Sequence, residues 1–219
     1  MCENTLNMCY IIHTKLTTKP KNTMEFKEKK FNIGELKGIS VKTIEEHLKL
    51  YTGYVTHSNL VLTKIEELSV DAEKNMGLIS GLQRRFGFEY NGMRNHEVYF
   101  DSLSDGPKLI NPDGELIKSI IYLWGSFDNW LTQFKAIATT RGIGWAMLYF
   151  DRKEKRLLNA WVDEQHLGQL QDCTLVLALD MWEHSYVADY QPSGKKQYIE
   201  DFFTNLNWSK VEENFSKAY

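Results

Sequence analysis

The feature that most constrains this chain is a short apolar run, residues 175–179 (Leu-Val-Leu-Ala-Leu). It ends on a carboxylate, Asp180, and meets an imidazole, His184, four residues later. A brief apolar stretch bounded by polar residues reads as a buried strand. Such a strand delivers its terminal carboxylate into the core. An ionised carboxylate left unpaired there costs several kcal/mol, so Asp180 needs a metal or a strong hydrogen-bond donor. A second reading stays open at this point, in which Asp180 caps a turn and His184 simply lies beside it.

The rest of the chain offers further histidines on apolar faces. Ser40 precedes the acidic stretch Glu45-Glu46, a helix start. Ile44, Leu48, Tyr51, Val55, Leu62 and Ile65 then follow helical spacing, which predicts a helix over residues 40–68 with His47 near its stripe. Residues 71–75 form a polar break. A second helix is expected over 78–102, with Phe88, Gly92, Asn95, His96 and Tyr99 on one face. Two long helices joined by a short loop pack as an antiparallel hairpin, which sets His47 against His96.

After the Asp-, Gly- and Pro-bearing loop 104–114 the pattern changes. Helices are expected over 115–124 and 127–139. Strands follow over 145–150, 157–162 and 174–179, linked as an antiparallel meander, and closing helices near 198–203 and 211–215 are split at Asn207-Trp208. The expected class is α+β: an N-terminal antiparallel helical hairpin (26–104), then a C-terminal domain (112–219) with a three-stranded antiparallel sheet flanked by helices. Residues 1–25 read as a disordered or mis-assigned extension, with Met24 a candidate start.

Composition narrows the function. A net charge of −3 points away from nucleic acid and from membrane surfaces. No stretch is apolar enough to span a bilayer. Cys2, Cys9 and Cys173 lack metal-type spacing, which points to a reducing, cytoplasmic setting without disulfides. Three imidazoles and one carboxylate form a donor set for a first-row transition metal, and the absence of a nearby thiolate argues against structural zinc.

From residue 31 to residue 215 the sequence resembles the iron/manganese superoxide dismutases. The resemblance is carried by Thr43-Ile44-Glu45-Glu46-His47, Asn95-His96, Gly125-Ser126-Phe127, Gly142-Ile143-Gly144-Trp145, Asp180-Met181-Trp182-Glu183-His184-Ser185-Tyr186, Asp189-Tyr190 and Asn207-Trp208. The Asp-x-Trp-Glu-His block is close to diagnostic. The resemblance implies disproportionation of superoxide to oxygen and hydrogen peroxide at one manganese or iron ion per subunit. It implies His47, His96, Asp180 and His184 as ligands, with Trp145 and Trp182 as an aromatic wall. Tyr54 resembles the tyrosine at the mouth of the site, given a one-residue deletion between His47 and Val55. Gln165, with the small residue Gly92, matches the manganese-type arrangement, in which a glutamine amide hydrogen-bonds solvent at the metal. Glu183 and Tyr186 match residues that reach across a homodimer. Several positions depart from the family pattern: Leu50 and Tyr51 stand where many members have a histidine, Met147 replaces a second Trp, and Gln191 replaces a rim Arg. These departures support an alternative, a catalytically weak metal-binding relic of the same fold.

Overall fold

The computed structural model describes residues 25–219; the expectations placed on residues 1–24 lie outside the described residues. Helix α1 spans Val41–Ser69, and its N-cap is Ser40, whose Oγ accepts the Thr43 N–H at 3.1 Å. Its buried face is Ile44, His47, Tyr51, Val55, Ser58 and Val61. Helix α2 runs over Ala72–Ser102, so it starts six residues before the expected Leu78. The reason is chemical. Asp71 caps the helix by accepting the Lys74 N–H, and the polar stretch after it forms the first turn rather than a break. The helices are antiparallel: Tyr51 faces Glu97, Tyr54 faces Gly92 and His57 faces Glu89.

After a loop come α3 (Glu115–Trp124) and α4 (Phe127–Ala138). Gly125 sits between them at φ 80°, the left-handed conformation that ends α3, and Ser126 caps α4. Strands β1 (Gly144–Asp151), β2 (Arg156–Asp163) and β3 (Cys173–Asp180) form an antiparallel sheet in the order β2-β1-β3. The expected meander is therefore wrong, because β3 pairs with β1 and not with β2. The cause is legible in β1 itself. Trp145, Ala146, Met147, Leu148, Tyr149 and Phe150 are all buried, without alternation, and a strand covered on both faces takes the middle position. The link between β2 and β3 must then cross the length of the sheet, and it carries Gln165 with it.

The chain closes with a 3₁₀ turn (Glu183–Ser185), α5 (Val187–Tyr190), a second 3₁₀ turn (Pro192–Gly194), α6 (Lys195–Asn205) and α7 (Trp208–Ala218). Asn207 joins the halves: its Nδ2 donates to the Ser104 carbonyl at 2.8 Å while its side-chain oxygen caps α7. One apolar core contains Ile44 and Val55 of α1, Met93 and Phe100 of α2, residues 145–150 of β1, and Phe202 and Val211 near the C-terminus. Among the described residues no helix is long and apolar enough to cross a membrane.

Phe134 is fully buried between Trp130 and Phe203, with ring centroids at 5.4 and 5.7 Å. Phe134→Ala is expected to destabilise the protein by about 3–5 kcal/mol in urea titration, through lost transfer energy plus a cavity. Val70→Ala, at a 91% exposed position, is expected to change nothing measurable.

Candidate metal centre

Asp180 is the last residue of β3 and pairs with Trp145 at the start of β1. The backbone N–H of Trp182 donates to its Oδ1 at 2.8 Å, which fixes the carboxylate and leaves Oδ2 facing inward. Three imidazoles converge on that single oxygen. The Nε2 atoms of His47 from α1, His184 from the 3₁₀ turn and His96 from α2 lie 3.0, 3.2 and 3.5 Å from it. One donor atom from each of the four residues falls within 4.8 Å of all the others. Asp180 and His96 are fully buried, His47 nearly so, and His184 is partly exposed.

The protonation of His96 tests whether a cation fits. Its Nδ1 lies 2.6 Å from the Gly92 carbonyl, which can only accept, so Nδ1 carries the hydrogen. Nε2 of the neutral ring is then a bare lone pair. Among the described residues it has no hydrogen-bond partner, although it points at a carboxylate oxygen. Two lone pairs facing each other in a dry site repel, and a positive ion between them converts the repulsion into two bonds. Burial, and next the neighbouring His47, pushes His96 down to about 3. His47 is lowered as well, again chiefly by burial. Burial alone would raise the Asp180 carboxyl, but the imidazoles of His184 and His47 outweigh it and hold the group well below the usual carboxylate range. His47 and His96, held neutral by burial, and an ionised carboxylate supply donors ready for a metal.

Gln165 is fully buried beside this cluster. Its Oε1 accepts from the Trp145 indole at 3.0 Å, and its Nε2 donates to the Tyr54 hydroxyl at 2.9 Å. The Tyr54 ring lies 5.0 Å from that of His96. A Cβ at Gly92 would fall 2.5 Å from the Tyr54 ring, so the glycine is the space that the tyrosine fills. Trp182 stacks on His184 at 5.8 Å and donates its indole N–H to the Glu164 carbonyl. Glu183 is exposed next to His184. Tyr186 is only 5% exposed and stacks on Tyr198 of its own chain.

Sequence reasoning missed the residues that hold Gln165 in place. Asn95 Nδ2 donates to the Gln165 carbonyl at 2.9 Å, Gln169 Nε2 donates to Asn95 Oδ1 at 3.1 Å, and the Tyr149 hydroxyl donates to Gln169 Oε1. The available signal was a buried amide next to a candidate ligand and a second Gln four residues after the first. Phe88 packs against Tyr54, His166 and Trp182, with the Arg85 guanidinium over its face at 4.3 Å. Lys49 pairs with Glu46, and Lys195 bonds the Thr140 carbonyl.

Residues 112–214 match the family described as iron/manganese superoxide dismutases, C-terminal domain. An iron superoxide dismutase of Cupriavidus metallidurans is 36% identical over 187 residues, 84% of this chain and 92% of the relative. A manganese superoxide dismutase of Mycobacterium avium is 32% identical over 174 residues, 78% of this chain and 82% of the relative. One of Haloarcula marismortui, also a manganese protein, is 40% identical over 107 residues, 49% of this chain and 52% of the relative.

The histidine shifts set a pH dependence for the metal-free protein. Its unfolded chain protonates His96 near the ordinary value of 6.5, while the folded chain resists down to about 3. Protons therefore favour the unfolded state across that window: stability is fully present above pH 6.5 and is lost as pH falls toward 3. The depressed Asp180 acts in the same direction below its ordinary value of 3.8. Thermal melts of the metal-free protein should be flat above neutrality and fall steadily through pH 6 and 5. A flat profile from pH 7 to 5 would contradict the burial of neutral imidazoles.

Proposed function

The chain belongs to the iron/manganese superoxide dismutase family, and from that premise we propose that its disproportionation of superoxide runs at the centre formed by His47, His96, Asp180 and His184. The observation that carries this reading is the bare Nε2 of His96 facing Asp180 Oδ2 in a buried site. A manganese or iron ion held there supplies two oxidation states, so that one superoxide is oxidised to oxygen and a second is reduced to hydrogen peroxide. His96 would offer its Nε2 lone pair to such an ion, because the Gly92 carbonyl holds the other ring nitrogen protonated. Asp180 presents one oxygen inward because the Trp182 N–H holds the other. Trp145 and Trp182 exclude water around the ligands.

Reduction of superoxide to peroxide needs protons, and Tyr54 is placed to supply one. Burial pushes its phenol well above its usual range, so the group stays protonated at neutral pH. Its oxygen accepts from Gln165, and its own O–H remains free to donate toward a small anion. Gln165 holds this hydroxyl in position, and its amide would adjust the potential of a bound ion through hydrogen bonding. The pairing of Gln165 with Gly92 favours manganese as the working metal. Glu183, exposed beside the partly exposed His184, suits a contact across a homodimer, and a cytoplasmic location fits the low use of cysteine.

The test is metal analysis, superoxide removal and light scattering on the manganese- and iron-loaded forms. One ion per chain, activity in the manganese form and a dimeric mass are expected. His96→Ala should lose both the ion and the activity, and Gln165→Leu should keep the ion while activity drops about 10- to 100-fold. Full activity in His96→Ala would refute the assignment.

A further inference from the structure

Tyr99 packs 5.1 Å from the His47 ring, and its hydroxyl lies 3.1 Å from that of Tyr198. Tyr198 donates to the Asp180 carbonyl at 3.0 Å, so Tyr99 is the donor in the phenol pair. Both side chains are fully buried. The Tyr190 ring follows, 5.8 Å from Tyr198 and half-buried. Tyr190 differs from the first two in its partner. Its hydroxyl donates to Asp201 Oδ2 at 3.0 Å, and Asp201 is itself only 5% exposed and also accepts from Gln197. A phenol that loses an electron becomes strongly acidic and must lose its proton to a base within hydrogen-bond reach. The partners of Tyr99 and Tyr198, a phenol and a peptide carbonyl, are poor bases, whereas a carboxylate can hold the proton. Tyr186 stacks on Tyr198 at 5.3 Å, but among the described residues its hydroxyl reaches no carboxylate.

We propose that Tyr99, Tyr198 and Tyr190 form a relay that draws oxidising equivalents away from the four-residue centre to a radical site at Tyr190 and Asp201. The inference rests on the dismutase reading, since hydrogen peroxide, the product, is the source of one-electron oxidants at a redox ion. Electrons move inward: Tyr99 gives one to the oxidant, Tyr198 then restores Tyr99, and Tyr190 restores Tyr198. In the net step the Tyr190 phenol gives one electron to the peroxide-derived oxidant and its proton to the Asp201 carboxylate. The products are a neutral Tyr190 phenoxyl radical, a protonated Asp201 and an oxidant reduced by one electron. The relay spares rings at the centre itself, His47 and His96, and Trp145, which packs 5.0 Å from His96.

The experiment exposes the iron-loaded protein to hydrogen peroxide. It reads tyrosyl radical by freeze-quench electron paramagnetic resonance and maps oxidised residues by peptide mass spectrometry. Tyr122 is 87% exposed and serves as the internal marker for attack from bulk solvent. A tyrosyl signal is expected, with oxidation several-fold greater at Tyr190 than at Tyr122. Asp201→Asn should weaken the signal while Tyr190 is retained. Tyr190→Phe should shift oxidation to Trp145 and the histidines and release the metal faster for each peroxide consumed. Melting curves verify that both variants fold. Oxidation that follows exposure, with Tyr122 first, or an unchanged product pattern in Tyr190→Phe, would overturn the relay. Dismutase activity of the manganese-loaded form of the same preparation, measured before peroxide is added, separates the two claims: an active enzyme without Tyr190 oxidation in the iron form removes only the relay, and an inactive one removes the reading beneath it.

Discussion

Three imidazole nitrogens aimed at one carboxylate oxygen are the constraint on which the rest of this structure depends. The arrangement is unfavourable by itself. It buries an ionised group, sets beside it two rings, His47 and His96, that resist protonation, and leaves at least one lone pair pointed at another. Folding tolerates it because the four residues come from four separate elements, each fixed by its own packing. α1 and α2 hold each other as a hairpin, β3 is locked to β1, and the 3₁₀ turn is tied by Ser185 to the Asp180 carbonyl. A cation at that point turns the least favourable contact in the core into a bond between the two halves.

The strand order decides the surroundings of the centre. Because β1 lies in the middle, the link from β2 to β3 crosses the sheet and lays Gln165 against Trp145 and Tyr54. A simple meander would have left that link as a hairpin at one end. Asn95 then serves two purposes from one turn of α2: its neighbour His96 faces the centre, while its own amide holds the Gln165 backbone. Ligand and outer amide are thus positioned by the same helix.

Much of this was legible in the chain. The apolar run ending at Asp180, the helical stripes carrying His47 and His96, and the Asp-x-Trp-Glu-His block located the cluster before any coordinates. The cap at Ser40 could also be read. What was misread involved competition between elements. Asp71 looked like a break because polarity alone cannot separate a linker from a capped first turn. The meander followed from short links, although the unbroken burial pattern of β1 already argued for the central position. Asn95, Gln169 and Tyr149 went unassigned because their importance is a matter of which carbonyl or amide they reach, and that depends on long-range packing.

The most direct test is a metal-loaded crystal examined by anomalous scattering at the metal edge. The account predicts one ion per chain, bonded at once to the Nε2 atoms of His47, His96 and His184 and to Oδ2 of Asp180. An ion bound elsewhere, with Asp180 Oδ2 still met only by the imidazoles, would contradict it.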